Sequence, residues 1–297
     1  MPCIGVAEAL SHNITTLHIR PRALWSAFAP WFCADKRDLA ILHHALNTHI
    51  PDIVIASGRR TVPLLRWLKR RHPQIFTVFL KNPRTRFSGA DLIWAPSHDS
   101  LHGTNIITSL TSPHRISARK LADARHHRDP RFGHDTQLCV AVLLGGNSRH
   151  HTFTLEDQRR LVASLKQLTQ QGACVLVTPS RRTPAALAQA VKDLCTHTQG
   201  FYWDSTGENP YINLLAHADY VVVTADSTNM VGEAAATGKP ILVFEPSGGH
   251  AKITRFLQAM YHAGYAHPFT GTFTGAAYSP IDSTLMIAEA IVSKTQR

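Results

Sequence analysis

The stretch VVVTADSTNMVGEAAATGKP, residues 221–240, contains the signals of a strand, a polar turn and a short helix. The apolar run ends at Thr224, and Asp226 and Ser227 follow it directly. Ser227 is a favourable residue to cap the following helix, and Gly238 is a favourable residue to end it. The stretch therefore predicts one strand–turn–helix unit of a parallel α/β sheet.

The same alternation of strand and helix recurs on both sides of this stretch. Short apolar runs rich in β-branched residues predict further buried strands. Helical patterns separate most of these runs, as expected for crossover connections. The predicted strands include PDIVIAS (51–57), QIFTVFLKNP (74–83), DLIWAPSHD (91–99), LCVAVLLGG with its Gly-Gly turn (138–146), ACVLVTPS (173–180) and KPILVFEP (239–246).

A charged segment divides the chain into two such series. Residues 119–135 read RKLADARHHRDPRFGHD and end in proline and glycine, so a linker is predicted in their second half. The predicted domains are residues 1–133 and 134–297, each an α/β domain with a parallel sheet.

The composition indicates a packed protein without metal or cofactor. Hydrophobic residues make up 44% of the 297 residues and charged residues 17%, which suits a folded core. No apolar run approaches the roughly 20 residues that span a bilayer, and no signal peptide is evident. The five cysteines form no CxxC spacing, and the histidine pairs are adjacent, which makes them poor chelates. A cytoplasmic protein is predicted.

The positive charge lies in the first half of the sequence. Residues 1–133 hold 19 Lys/Arg and 8 Asp/Glu, whereas residues 134–297 hold 12 of each. The first half is either a solvated basic surface or faces an anionic partner, such as a phosphorylated acceptor or a membrane leaflet. Nucleic acid is disfavoured because no recognised nucleic-acid motif is present. Within this half, RPRALWSAFAPWFC (20–33) is interpreted as a buried hairpin or helix, or as an interfacial anchor.

Asp226, Ser227 and Glu233 suggest a ligand site at a strand end. Ligands of open parallel sheets lie beyond the carboxyl ends of the strands, where Asp226 and Ser227 fall. The amides after Ser227 favour an anion such as phosphate. Glu233 lies two turns later on the same face and could accept hydrogen bonds from ribose hydroxyls. The alternative is that Asp226 and Ser227 only cap the helix and Glu233 is solvated.

Other strand ends strengthen the hypothesis of a ligand site. They carry small, polar or basic residues, and the loop 204–211 is unusually polar. No Walker motif or GxGxxG is present, which argues against simple ATPase and dinucleotide sites. The candidate residues at the first two ends are Gly145, Gly146, Asn147, Ser148, Arg149, Ser180, Arg181 and Arg182.

Several longer segments resemble a known family. They are SGRRTVP (57–63), LLGGNSRHH (143–151), LVTPSRRTP (176–184), WDSTGENPY (203–211), VVTADSTNMVGEAAATGKP (222–240) and GGHAKITRF (248–256). Together, over about residues 3–280, they resemble the mitochondrial-fission "elongated mitochondria" family, also described as nucleoside-diphosphate-sugar epimerases. The second half of that family is similar to GT-B glycosyltransferases, notably lipopolysaccharide Kdo transferases.

The resemblance implies both a fold and a function. The fold is GT-B, two Rossmann-like parallel-sheet domains facing a cleft, with the donor on 134–297 and the acceptor on 1–133. The function implied for bacterial members is sugar transfer from a nucleotide-sugar donor to a cell-envelope, lipopolysaccharide-like acceptor. That acceptor is anionic, either membrane-linked or phosphorylated. The alternative is a non-enzymatic adaptor, since the plant member recruits a dynamin-like protein to mitochondria.

Particular residues can be given candidate roles. The resemblance places Glu233, ahead of Gly238-Lys239-Pro240, in the nucleotide-sugar site. The other roles follow from residue type and from position at strand ends. Arg149 and Arg181, with Arg182, would neutralise the diphosphate leaving group without a metal. Alternatively, these arginines are solvated surface residues. Further donor contacts are expected from Glu208, Asn209 and Lys252, and His114 is the candidate general base.

The start of the chain departs from the family pattern. Members open with a strand and a turn like G-x-E-N-Q before the helix that here reads CIGVAEAL. The N-terminal domain is therefore expected to lack its first strand.

Overall fold

The computed structural model describes residues 2–132 and 138–296. These residues form two compact units. Unit 1 comprises residues up to Arg115 together with those from Ser283 onward, and unit 2 runs from Ile116 to Asp282. Both units are built from parallel strands with helices packed against them.

The described helices alternate with strands along most of the chain. The helices are α1 (Pro2–Leu10), α2 (Ala23–Phe28), α3 (Lys36–Thr48), α4 (Val62–Arg71), α5 (Ala118–His126), α6 (Leu155–Gln170), α7 (Ala185–His197), α8 (Tyr211–His217), α9 (Thr228–Ala235), α10 (Ala251–His262) and α11 (Ser283–Thr295). The strands are β1 (Ile53–Ser57), β2 (Phe76–Leu80), β3 (Leu92–Pro96), β4 (Ile106–Ser109), β5 (Cys139–Leu144), β6 (His151–Thr152), β7 (Cys174–Pro179), β8 (Phe201–Tyr202), β9 (Tyr220–Thr224), β10 (Ile241–Phe244), β11 (Ser247–Gly248) and β12 (Ala266–Pro268).

Unit 1 is a four-stranded parallel sheet in the order β1-β2-β3-β4. One core cluster joins Val6 of α1, Trp94 of β3 and Ile287 of α11, each with no exposed surface. A second cluster joins α3 and α4 through side chains such as Leu42 and Leu68. Helices therefore cover both faces of the sheet, which explains why β2 and β3 are almost continuously apolar. β1 pairs only with β2 among the described strands, and all five of its residues are half-buried.

Unit 2 is a six-stranded parallel sheet in the order β12-β10-β9-β5-β7-β8. From β5 the chain proceeds outward through β7 and β8, then returns and proceeds the other way through β9, β10 and β12. The strand order thus reverses between β5 and β9, which pair directly in the register Val142↔Val222. A reversal of this kind is the topological switch point of a doubly wound sheet. A separate antiparallel pair, β6 with β11, lies beyond the sheet.

The predicted strands and their alternation with helices are confirmed, but the units divide at a different place from the predicted domains. The predicted boundary between residues 133 and 134 lies outside the described residues, and the units divide after Arg115. Helix α5 belongs to unit 2 because Arg125 Nε donates to the Ala216 carbonyl of α8 at 3.2 Å. The residues after α5 continue this contact, since Asp129 N donates to Asn213 Oδ1 at 2.9 Å. At the other end, α11 returns to unit 1 and packs on α1.

Helix α2 lies in the segment 20–33, for which the sequence allowed two interpretations, a buried hairpin or helix and an interfacial anchor. None of its six residues is buried. Ala29 and Pro30, which follow it, are buried. Within the described residues, no helix is both long and apolar enough to cross a membrane.

Candidate functional site

The candidate site lies where the strand order of unit 2 reverses. Strands β7, β5 and β9 are neighbours in the parallel sheet, so their carboxyl ends lie side by side. The loops that leave them are residues 145–150, 180–184 and 225–227. Most of the predicted site residues fall in these three loops, at the position where doubly wound sheets bind ligands.

Asp226 joins the three loops. Its side chain has no exposed surface, and its carboxylate accepts from Thr224 Oγ1 at 2.7 Å and from Gly146 N at 3.2 Å. Arg182 completes the set with an ion pair at 2.9 Å from Nη2 to Oδ2. Thr224 Oγ1 in turn accepts from Gly145 N at 2.8 Å. Asp226 therefore acts as a buried connection between strand ends, and its carboxylate is already occupied by protein donors.

The same network explains the two glycines. A Cβ on Gly145 would lie 2.0 Å from Asp226 Oδ1, and one on Gly146 would lie 1.9 Å from the Arg182 carbonyl oxygen. Both distances are far below van der Waals contact, so only glycine fits at these positions. Both glycines are candidate residues of the predicted ligand site. In the structure, the atoms that require glycine belong to the protein itself.

The three predicted arginines have different environments. Arg182 is bound by Asp226 and also donates from Nη1 to the Asn147 carbonyl at 3.2 Å. Arg149 and Arg181 are exposed, and neither forms an ion pair within residues 2–132 and 138–296. Because Asn147 N donates to the Arg182 carbonyl at 3.2 Å, the loops that carry Arg149 and Arg181 are neighbours. These two guanidiniums therefore remain available to an anion.

The other polar residues of these loops mainly hold the backbone in shape. Asn147 Oδ1 accepts from Phe153 N at 2.8 Å, and Ser148 Oγ accepts from His151 N at 3.1 Å. Ser180 Oγ accepts from Arg182 N at 3.1 Å. We infer that Asn147, Ser148 and Ser180 set the loop conformation from which Arg149 and Arg181 extend.

Helix α9 presents the best-placed carboxylate of the site. Ser227 caps the helix by accepting from Met230 N, as predicted. Glu233 is half-buried in the second turn, and its Oε2 accepts from the Tyr211 hydroxyl at 2.5 Å. No hydrogen bond to Oε1 is found among the described residues. The assignment of Asp226 and Glu233 to one ligand-facing side stays a prediction.

The environment of Glu233 changes its protonation. Burial raises the pKa of its carboxyl, and the hydrogen bond from Tyr211 opposes this effect without cancelling it. The pKa of Tyr211 is raised well above its usual range by burial and by the nearby Glu233 charge. The carboxylate is thus held in one place by a phenol that stays protonated, while one oxygen remains able to accept hydrogen bonds.

Sequence reasoning missed His151. Its side chain is only 4% exposed, and within the described part of the chain its Nδ1 has no hydrogen-bond partner. Burial lowers its pKa, while the Asp226 charge raises it and His150 lowers it further. The sequence shows only a pair of adjacent histidines. The burial follows from the pairing of β6 with β11, whose partners lie about a hundred residues apart in the chain.

The remaining predicted donor contacts lie on exposed segments. Glu208 and Asn209 are exposed, and Asn209 Oδ1 accepts from Tyr211 N at 3.0 Å, which shapes the start of α8. Lys252 is exposed in the first turn of α10. A cavity of about 320 Å³ opens beside α7, and its lining includes Ser180, Lys192 and Asp204. The polar loop after β8 and the β7 loop therefore border a common space.

His114 lies in the core of unit 1. It is 5% exposed, and its backbone N donates to Thr284 Oγ1 of α11 at 2.9 Å. A Cβ on Gly5 of α1 would lie 2.1 Å from the His114 carbonyl oxygen, so α1 covers this segment closely. This placement gives the imidazole little access to an acceptor hydroxyl, in contrast to the predicted role of a general base. No group of three potential metal ligands is found in the described chain.

Comparison with solved structures identifies the class of fold. The complex of MnaA from S. aureus with UDP matches with a TM-score of 0.50 and 10% sequence identity, over 98% of this chain and 84% of that one. Glycosyltransferases also match, at lower TM-scores. The chain has a GT-B fold, as the resemblance implied.

The family follows from the sequence. The family model for mitochondrial fission ELM1 matches residues 1–295, so the chain belongs to the mitochondrial fission ELM1 family. An uncharacterized protein of Rickettsia prowazekii, RP120, is 28% identical over 97% of this chain and 93% of its own length. The mitochondrial fission protein ELM1 of Arabidopsis thaliana is 27% identical over 81% of this chain, and the match spans 63% of that protein.

Proposed function

We propose that this protein is a GT-B-type glycosyltransferase that binds a nucleotide-sugar donor at the switch point of unit 2. The observation that carries the proposal is the pair of exposed arginines, Arg149 and Arg181, in two adjacent loops at this point. Two guanidiniums without acidic partners suit the oxygens of a diphosphate. The UDP bound to MnaA is a ligand of the same chemical class.

The proposed reaction uses the arginines as the electrostatic component. When an acceptor hydroxyl attacks the anomeric carbon, it releases its proton to solvent water and the bond between that carbon and the diphosphate breaks, so negative charge accumulates on the leaving phosphate. Arg149 and Arg181 would neutralise this charge, so the residues themselves replace a metal ion. Arg182 and Asp226 would hold the loops in position. Lys252, Glu208 and Asn209 remain candidates for peripheral donor contacts.

Glu233 would recognise the donor through its hydroxyl groups. Its carboxylate is fixed by Tyr211, and Oε1 can accept from a ribose or sugar hydroxyl. A charged carboxylate accepts stronger hydrogen bonds than a neutral oxygen does, so the position of Glu233 favours a ligand with several hydroxyl groups. Ser227 caps the start of the helix α9 that carries Glu233, and the backbone amides at this helix end favour phosphate.

For the acceptor, we propose an anionic, membrane-linked or phosphorylated molecule of the cell envelope. The support is the charge of unit 1. Its sequence ranges hold 16 Lys/Arg and 7 Asp/Glu, a difference of +9, against 15 and 13 in unit 2. A cytoplasmic protein that works at the inner face of the membrane fits this distribution.

A non-enzymatic adaptor is the second candidate function, favoured by the family and by the name of the plant relative. The two candidates differ in the donor site. An adaptor has no need of two unpaired arginines and a fixed carboxylate around one sheet end.

Binding of nucleotides tests the proposal. We expect a nucleoside diphosphate or its sugar conjugate to raise the melting temperature of the protein, since a ligand at 100 times its Kd stabilises the native state by about 2.7 kcal/mol. The double variant Arg149→Ala/Arg181→Ala should lose most of this shift. Lys166→Ala, an exposed cation about three turns into α6, is the matched control and should keep it.

The panel should include the diphosphates of the common bases and their sugar conjugates. If none of them shifts the melting temperature, the transferase proposal fails and the adaptor becomes the better interpretation. If the arginine variant retains the full shift, the ligand binds elsewhere.

A further inference from the structure

Unit 1 carries an exposed apolar surface, mostly aromatic, that its own core does not use. The surface consists of Leu24, Phe28, Trp31 and Phe32, which we call the aromatic foot. Their side chains are 52%, 55%, 69% and 42% exposed, respectively. Four large apolar side chains within nine residues differ from the single exposed apolar residues that are normal on a protein surface.

The foot is held firmly by two arginines of a neighbouring segment. Arg59 Nη1 donates to the Ala29 carbonyl at 3.1 Å, and Arg66 donates to the carbonyls of Pro30 and Phe32. Ala29 and Pro30 themselves are buried. The rings are therefore presented by a fixed backbone and not by a loose loop.

The rings also contact one another. The Phe32 ring lies 5.9 Å from that of Trp25 and 6.0 Å from that of Phe28, centroid to centroid. Arg22 lies over the Trp25 ring at 4.0 Å from its centroid. The result is an aromatic cluster with guanidinium groups at its border.

The acidic residues near the foot are too few to neutralise the cations of this segment, although Asp35 forms an ion pair with Arg22 at 3.0 Å. Residues 20–71 hold ten Lys/Arg and three Asp/Glu. Asp35 and Asp38 are both 2% exposed and accept bonds from Arg22 and from Arg20 N, respectively. Asp52 is the acid that remains exposed in this range. The solvent side of the segment is thus cationic.

An anionic lipid surface has the matching chemistry. Aromatic rings favour the region of the headgroups, and each Lys or Arg near an anionic leaflet adds attraction. A helix of six residues can lie in this region but cannot cross a bilayer. A second copy of the chain fits less well, because two cationic surfaces would be brought together.

We propose that the aromatic foot docks unit 1 on an anionic phospholipid bilayer. Phe28 and Trp31 insert among the headgroups, and the surrounding arginines contact lipid phosphates. The inference rests on unit 1 alone and does not depend on the proposed sugar transfer.

Vesicle sedimentation with the full chain tests the inference. The protein should sediment with mixed phosphatidylcholine–phosphatidylglycerol vesicles and much less with phosphatidylcholine alone. Raising the salt from about 0.1 M to 1 M shortens the Debye length from about 10 Å to about 3 Å and should weaken binding. The double variant Phe28→Ser/Trp31→Ser should bind about tenfold or more weakly, because two exposed rings no longer insert.

Two controls distinguish binding through the foot from non-specific vesicle binding and from misfolding of the variant. Leu155→Ser removes a 67% exposed apolar side chain of unit 2 and should bind vesicles as the parent does. The foot variant should keep the parent's melting temperature, because its two side chains are already mostly exposed. Nucleotide stabilisation of that variant should be unchanged.

Three results would overturn the inference. The first is an absence of binding to the anionic vesicles, and the second is equal binding by the foot variant and the parent. The third is self-association that the foot variant abolishes while no vesicle binding occurs, which would assign the foot to a protein interface. Failure of nucleotides to bind would leave the vesicle result standing, so the two proposals fail separately.

Discussion

At the scale of a single residue, Glu233 predicts how donor binding depends on pH. Its carboxylate must be charged to accept strong hydrogen bonds from ligand hydroxyls, and burial raises its pKa. We expect affinity for the stabilising nucleotide sugar to fall as the pH falls through this raised pKa, by about 1–3 kcal/mol in binding free energy. Isothermal titration over a pH series measures this loss.

Two variants test the assignment to Glu233. Glu233→Gln should bind the nucleotide sugar weakly at every pH, and its affinity should show no stepwise fall as the pH is lowered. Tyr211→Phe removes the hydrogen bond that lowers the pKa of Glu233, so the step should move to higher pH. A step that is identical in Glu233→Gln and the parent would show that another group titrates.

The same pKa sets the sign of a stability effect. The pKa of Glu233 in the folded protein lies above its value of about 4.5 in the unfolded chain. This contribution to the unfolding free energy is complete below that value and is lost as the pH rises through the folded pKa. The difference between parent and Glu233→Gln in denaturant unfolding should follow this direction.

At the scale of an element, the start of α6 predicts a stability change. Thr154 and Asp157 form a capping box, and Asp157 Oδ2 also accepts from Ser247 N of β11 at 3.0 Å. Asp157→Ala should lower the unfolding free energy by about 1–2 kcal/mol, because a helix cap and the link to β11 are lost together. Glu156→Ala, an exposed acid of the same turn, should change it much less.

The capping residue also gives a dependence on acid. Burial alone would raise the pKa of Asp157, but the hydrogen bonds from Ser247 and Thr154 outweigh it and lower the pKa to about 2. Its contribution is therefore present above about 3.8 and is lost as the pH falls towards 2. Denaturant titrations of parent and Asp157→Ala should converge at low pH, and a constant difference would contradict this origin.

At the scale of the whole molecule, the last helix predicts which unit a mutation destabilises. Ile287 of α11 has no exposed surface and packs against Val6 and Trp94 in unit 1. Ile287→Ala should cost about 2–5 kcal/mol, the range for deleting a buried aliphatic side chain. Val292→Ala on the same helix, where the side chain is 41% exposed, is the control and should cost much less.

Tryptophan fluorescence can assign the loss to one unit. Trp203 is in unit 2, and the other four tryptophans of the sequence, Trp25, Trp31, Trp67 and Trp94, are in unit 1. In a Trp203→Phe background the fluorescence transition reports unit 1 alone and should move with Ile287→Ala. Nucleotide stabilisation of unit 2 should persist, and its loss would mean that α11 supports the donor site.

Much of the fold could be predicted because its signals are local. Each strand is a short apolar run, and the caps at Ser227 and at Thr154 with Asp157 depend on residues three positions apart. The positions of the site loops could also be predicted from the sequence, since parallel strands place their carboxyl ends along one edge of the sheet. The exposure of Arg149 and Arg181 agrees with their charge and with their place in loops.

The roles inside the site required the tertiary structure, because they depend on contacts between distant residues. Asp226 was predicted to face a ligand, yet Arg182, forty-four positions earlier, occupies its carboxylate. The Tyr211 hydroxyl donates to Glu233, which lies 22 positions later in the chain. The backbone N of His114 donates to Thr284 of α11, which lies 170 positions later. The amino-acid sequence by itself determined the elements and the edge at which polar groups gather, because propensity and periodicity act over a few residues. Only the packed structure decided which of those groups neutralise one another and which remain available, because burial and pairing are set by chain segments that local patterns do not connect.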